Sequence, residues 1–164
     1  FALVLVAVVV LLFSYFHSLS LALQVMLNIP LALMGGLALT WWLVGNISIA
    51  TIVGFIAVGG VAARNGIMMI SHYLHLMKHE GESFTRAMIV RGTLERLVPV
   101  LMTALSAGIA LIPLLLAANE PGKEILHPVA VVIAGGLVSS TLLDLMVTPA
   151  VFFLFGKQPT QTTA

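Results

Sequence analysis

Five stretches of the chain are almost continuously apolar: residues 1–16, 21–44, 47–70, 97–118 and 129–155. All but the first reach the length of about 20 apolar residues that carries a helix across a bilayer. In hydrocarbon every backbone amide must be paired internally, which leaves only helices or closed barrels. Barrel strands alternate apolar and polar residues, and these runs do not. The pattern predicts an all-α fold, a polytopic membrane bundle of five transmembrane helices. Pro30, Pro99, Pro113 and Pro149 fall inside the runs, as do the pairs Gly35-Gly36 and Gly135-Gly136. Membrane helices tolerate both residue types, and small residues four apart let backbones approach closely. Gly135/Ser139, Gly136/Ser140 and Ala104/Gly108 have that spacing.

The polar remainder lies mostly in residues 71–96, between the third and fourth runs. Ser83 is placed to cap a helix there, and Phe84, Ala87, Met88 and Arg91 follow at helical spacing. A short amphipathic helix along the membrane surface is expected. The bundle then occupies residues 1–156, and the polar residues 157–164 form a tail.

Charge decides the orientation. Residues 71–96 hold Lys78, Arg86, Arg91 and Arg96, whereas residues 119–128 hold only Lys123. Basic residues stay on the cytoplasmic side, so 71–96 and the tail are predicted inside, with the N-terminus outside. Trp41 and Trp42 then mark the outer interface and Tyr73 the inner one. The chain is apolar from Phe1 and lacks the charged region of a signal peptide. It is expected to be a piece of a larger protein whose first helix is truncated and follows a large external region.

Composition narrows the function. Only 8% of residues are charged and 60% are hydrophobic, with a net charge of +1. A soluble enzyme could not cover its surface with so few charges, and a nucleic-acid binder needs a basic patch. With no cysteine there is neither a disulfide nor a thiolate metal site. No G-x-S-x-G, H-E-x-x-H or phosphate-cradling loop is present, so neither enzyme nor cofactor is expected.

The informative residues are the polar ones inside the runs, where a charge costs roughly 2.5–3.5 kcal/mol on insertion scales. Arg64 lies six residues before Ile70, about 9 Å inside the helix end, with Asn65 beside it. Its stem could still snorkel to the interface. Arg96 and Thr103, seven residues apart, share one helix face, and Thr103 comes to the depth of Arg64. Asp144 is deeper, about 16 Å from Phe155. Ser140, Asp144 and Thr148 form one polar stripe. Two readings stay open for Asp144: a hydrogen-bonded carboxyl that locks two helices, or an ion-pair partner and proton carrier. His72, His75 and His79 are spaced along one face at the interface and read as a polar stripe rather than a metal site. The eight methionines read as packing residues.

Several stretches together resemble a known family. They are Asn28-Ile-Pro-Leu-Ala-Leu-Met-Gly-Gly36, Val53-Gly-Phe-Ile-Ala57 leading to Ala63-Arg-Asn-Gly66, and Arg96-Leu-Val-Pro-Val-Leu-Met-Thr103. Gly122-Lys-Glu-Ile-Leu-His-Pro128 and Gly135-Gly-Leu-Val-Ser-Ser-Thr-Leu-Leu143 complete the set. Their order resembles the C-terminal membrane half of resistance–nodulation–division (RND) efflux permeases, closest to the heavy-metal branch. The resemblance implies a proton-driven pump of the bacterial inner membrane, a homotrimer of twelve-span subunits. It implies a periplasmic adaptor and an outer-membrane channel as partners. This chain would supply spans eight to twelve, without the N-terminal half or the periplasmic porter domain. The family's relay positions in spans ten and eleven fall on Arg64, Arg96 and Thr103. Asn65 and Asp144 join them from local chemistry. The acidic centre of the relay lies in span four, outside this chain. A multidrug exporter of the same superfamily and a non-transporting assembly or sensing module are the alternatives.

Overall fold

The computed structural model describes residues 2–81 and 83–155. The six helices are α1 (Ala2–Phe16), α2 (Leu19–Leu43), α3 (Ile49–His79), α4 (Arg86–Leu116), α5 (Leu126–Leu142) and α6 (Thr148–Phe155). A π-helical turn, Leu143–Val147, joins α5 to α6, so these form one 30-residue rod. Five rods result, and no strand occurs among the described residues. Four of the rods are long and apolar enough to cross a membrane, while α1 is a 15-residue apolar helix. The expected tail, 157–164, lies outside the described residues.

The connection between the third and fourth runs departs from expectation. Helices α3 and α4 each continue for 31 residues, about 46 Å, which exceeds the roughly 30 Å hydrocarbon core. Residues 71–79 and 86–96 are therefore extensions of the two long helices, and no separate surface helix forms. Ser83 does not cap. The Thr85 hydroxyl accepts from the Met88 amide at 3.3 Å and starts α4. The reason is Phe84, whose ring packs on Phe152 and Phe153 with centroids 5.7 and 6.2 Å away. That contact fixes the loop, and the helix begins beyond it. Gly81 ends the α3 side with a left-handed φ of 67°, which a glycine adopts without strain. At the other end, α3 opens with a reciprocal cap. Thr51 N donates to Ser48 Oγ at 3.3 Å, and Ser48 N donates to Thr51 Oγ1 at 2.9 Å.

Helices α2, α3 and α5 form the centre. Their buried positions advance by four, along one ridge of each helix: Asn28, Ala32, Gly36 and Thr40 on α2, and Gly54, Val58, Ala62 and Gly66 on α3. The last rod, α5 to α6, contributes Val132, Gly136, Ser140, Asp144, Thr148 and Phe152. The α2 and α5 backbones nearly touch. A Cβ on Gly135 would lie 2.6 Å from the Gly35 carbonyl oxygen, and one on Gly136 would collide with Val58. The small pairs Gly135/Ser139 and Gly136/Ser140 thus work as expected, and Ser139 Oγ donates to the Leu31 carbonyl at 3.1 Å. Ala104/Gly108 does not. Gly108 has open space where a side chain would begin, so no neighbouring backbone comes close there.

Helix α4 is fully buried only near its start. Met88, Ile89 and Gly92 are its buried residues, and a Cβ on Gly92 would meet the Tyr73 ring at 2.7 Å. Tyr73 stacks on Phe152 at 4.7 Å and shares a 2.6 Å hydrogen bond with Thr93. Thr93 donates to the Ile89 carbonyl, so the Tyr73 hydroxyl is the donor in that pair. Beside this contact Glu95 bonds His72 Nε2 and Arg91 Nε, each at 2.8 Å, and Arg91 reaches Glu80 at 2.7 Å. Further along, Val98, Met102, Leu105, Ile109 and Leu116 are all exposed.

Candidate functional site

Because α4 diverges from α3 beyond Gly92, a cleft of about 170 Å³ opens between them. Arg64, Asn65, Met68 and Met69 line it from α3, and Arg96, Pro99 and Thr103 from α4. Four of the five residues singled out in the sequence therefore meet in one place. Pro99 has no amide hydrogen and cannot bond the carbonyl one turn back, which weakens α4 at this level.

Each side chain has a distinct state. Arg64 is exposed on the cleft and makes no ion pair among the described residues. Arg96 is half-buried, and its Nε is enclosed without a hydrogen-bond partner. The Thr103 hydroxyl donates to the Val100 carbonyl at 2.9 Å. No acid among the described residues lines this cleft. Two guanidinium groups around one apolar-walled opening make a site complementary to a carboxylate.

Asp144 lies outside the cleft but adjoins it. It is 1% exposed and sits in the π turn, a distortion frequent at functional sites. Asn65 and Ser140 approach its carboxyl, yet Oδ2 and the Ser140 hydroxyl complete no hydrogen bond. Asn65 is thus the one residue common to the cleft and to the carboxyl. One turn further, Asn28 Nδ2 donates to Thr148 Oγ1 at 3.0 Å and ties α2 to the rod.

The histidines do not share one environment. His72 turns to Glu95 on α4, whereas His75 and His79 stack with ring centroids 4.5 Å apart. Spacings of three and then four residues keep them within about 60° on α3, but they stand at different levels and so meet different neighbours. Sequence reading also passed over Gln24, which is buried with neither amide atom bonded. Gln24 and Asn28 stand four apart inside an apolar run, the same signal that exposed Ser140, Asp144 and Thr148.

Helices long and apolar enough to cross a membrane, carrying two arginines at a cleft and a buried carboxyl beside it, fit a membrane permease. The chain belongs to the AcrB/AcrD/AcrF family, whose pattern matches residues 1–156. It is similar to the cobalt-zinc-cadmium resistance protein CzcA of Cupriavidus metallidurans, at 43% identity over 150 residues, 92% of this chain and 14% of that protein. The nickel and cobalt resistance protein CnrA of the same organism is 39% identical over 144 residues, 87% of this chain and 13% of CnrA. The multidrug resistance protein MdtC of Escherichia coli is 32% identical over 144 residues, 88% of this chain and 14% of MdtC. The chain thus spans about 14% of the length of the curated relatives it matches.

Proposed function

We propose that this chain is the C-terminal membrane part of a proton-driven permease that exports heavy-metal cations across the bacterial cell envelope. The observation that carries the reading is the cleft that gathers Arg64, Asn65, Arg96 and Thr103 with no acid of its own. Carboxylates on the remainder of the permease complete it. Ionised, they pair with the two guanidinium groups; protonated, they release them, and α4 changes its distance from α3. A charge pair at 4 Å is worth about 4 kcal/mol at an effective dielectric of 20, ample to bias two packings. The relatives at 43% and 39% identity are metal resistance proteins, which favours a metal cation over a drug as cargo. The parts working with this chain are the N-terminal half and periplasmic porter domain of the same permease, a second and third copy forming a homotrimer, a periplasmic adaptor and an outer-membrane channel. The location is the bacterial inner membrane, with residues 71–96 in the cytoplasm.

Export assays on the full-length permease test this. Arg64→Met is expected to abolish proton-driven export of zinc, cobalt or cadmium while trimers still assemble, and Arg64→Lys to retain part of it. Wild-type export by the Met variant removes Arg64 from the relay. Resistance to drugs but not to metals transfers the chain to the multidrug exporters.

A further inference from the structure

We infer that Asp144 is a proton-binding site within this bundle, exchanging with the Arg64–Arg96 cleft past Asn65. The inference rests on the proposed reading of the chain as part of a proton-driven permease, and deepens it by adding a station on the last rod.

Three independent features place the site. The carboxyl is 1% exposed at mid-span, with no Lys, Arg or His paired to it among the described residues. A carboxylate in that position is not tolerated without compensation. A packing carboxyl would have its hydrogen bonds completed, yet Asp144 Oδ2 is enclosed and unbonded, and so is the Ser140 hydroxyl one turn away. Finally, the backbone winds as a π turn over Leu143–Val147, around this residue. A turn of that kind inserts one residue into the α-helical register and is frequent at functional sites.

The surroundings supply what a proton exchange needs. Around Asp144 stand Asn65 and Tyr73 on α3 and Ser140 on its own rod, with Tyr73 the titratable one. On α2 the neighbouring polar group, Asn28, is engaged with Thr148. The cations Arg64 and Arg96 stand beyond Asn65, in the cleft. The step is proton transfer alone. The Asp144 O–H bond breaks, an O–H bond forms on a water in the cleft, and the Asn65 amide and Ser140 hydroxyl turn to donate to the carboxylate left behind. The cleft, at about 170 Å³, has room for several waters.

Infrared difference spectroscopy on the full-length trimeric permease, between acid and alkaline buffer, tests the site without depending on transport. The expected result is a carboxylic C=O stretching band that titrates and is missing in Asp144→Asn. Asn65→Leu should keep the band but slow its deuterium exchange. Export by Asp144→Asn should fall by roughly 10²-fold, the scale of a lost acid–base group. If Asp144→Asn does not assemble, Asp144→Glu replaces it, and a shifted titrating band is expected. Spectra identical to wild type in the variant, or wild-type export with an unchanged pH profile, overturn the proposal. A titrating Asp144 band combined with normal export by Arg64→Met leaves the proton site standing and removes the cleft from the relay.

Discussion

Gly135 lies so close to Gly35 that a methyl group on it would come within 2.6 Å of the Gly35 carbonyl oxygen. The obstacle is backbone, so it cannot rotate away. Gly135→Ala should therefore destabilise the bundle by about 1–3 kcal/mol, the cost of overpacking. Gly60→Ala, with open space around it, should leave stability unchanged. Thermal unfolding of the detergent-solubilised full-length protein compares the two.

Tyr73→Phe removes the hydroxyl that donates to Thr93 at 2.6 Å. Thr93 keeps its own bond to the Ile89 carbonyl, so no buried donor is stranded. The loss should be about 1 kcal/mol, the net worth of one hydrogen bond. Gly92→Ala should cost more, because it drives a methyl into the Tyr73 ring. Equal unfolding midpoints for the two variants would refute this ordering.

The hydrogen bond from His72, and then that from Arg91, hold Glu95 below its usual carboxylate value of 4.5. A carboxyl with a depressed folded pKa stabilises above its unfolded value and loses that contribution as pH falls through the folded one. The bonds between α3 and α4 at this point should thus persist at neutral pH and fail below the ordinary carboxylate range. Hydrogen exchange in residues 86–96 should rise on acidification, and Glu95→Gln should flatten that response. Because Glu95 is exposed, added salt should also shrink it.

Orientation is open to labelling in the intact permease. A cysteine at Ser83 should react with a membrane-impermeant thiol reagent only after the membrane is opened, and one at Lys123 should react from outside. The reverse pattern would invert the topology.

The architecture was legible where hydrocarbon imposes its own rule. Apolar runs located every rod, and the small residues on α5 named their own contact. Helix ends were less legible, since α3 runs to His79 although its apolar stretch ends at Ile70. Apolarity marks immersion, whereas a helix continues for as long as its backbone bonds are made. The cap moved from Ser83 to Thr85 because a ring contact with Phe152, distant in sequence, fixed the loop. Arg64 and Thr103 could be matched in depth by counting residues. That Asn65 reaches Asp144 could not, because it depends on which face of α3 meets the last rod.

Helix α4 keeps its fully buried residues at Met88, Ile89 and Gly92, and through its apolar stretch it packs on α5 with one half-buried face. The bundle therefore has two kinds of seam. Between α2 and α5 backbone meets backbone, and nothing there can yield. Along α4 the packing is made by side chains, which can change rotamer. A disturbance beside Arg96 is thus taken up by α4 and spares the glycine-packed centre.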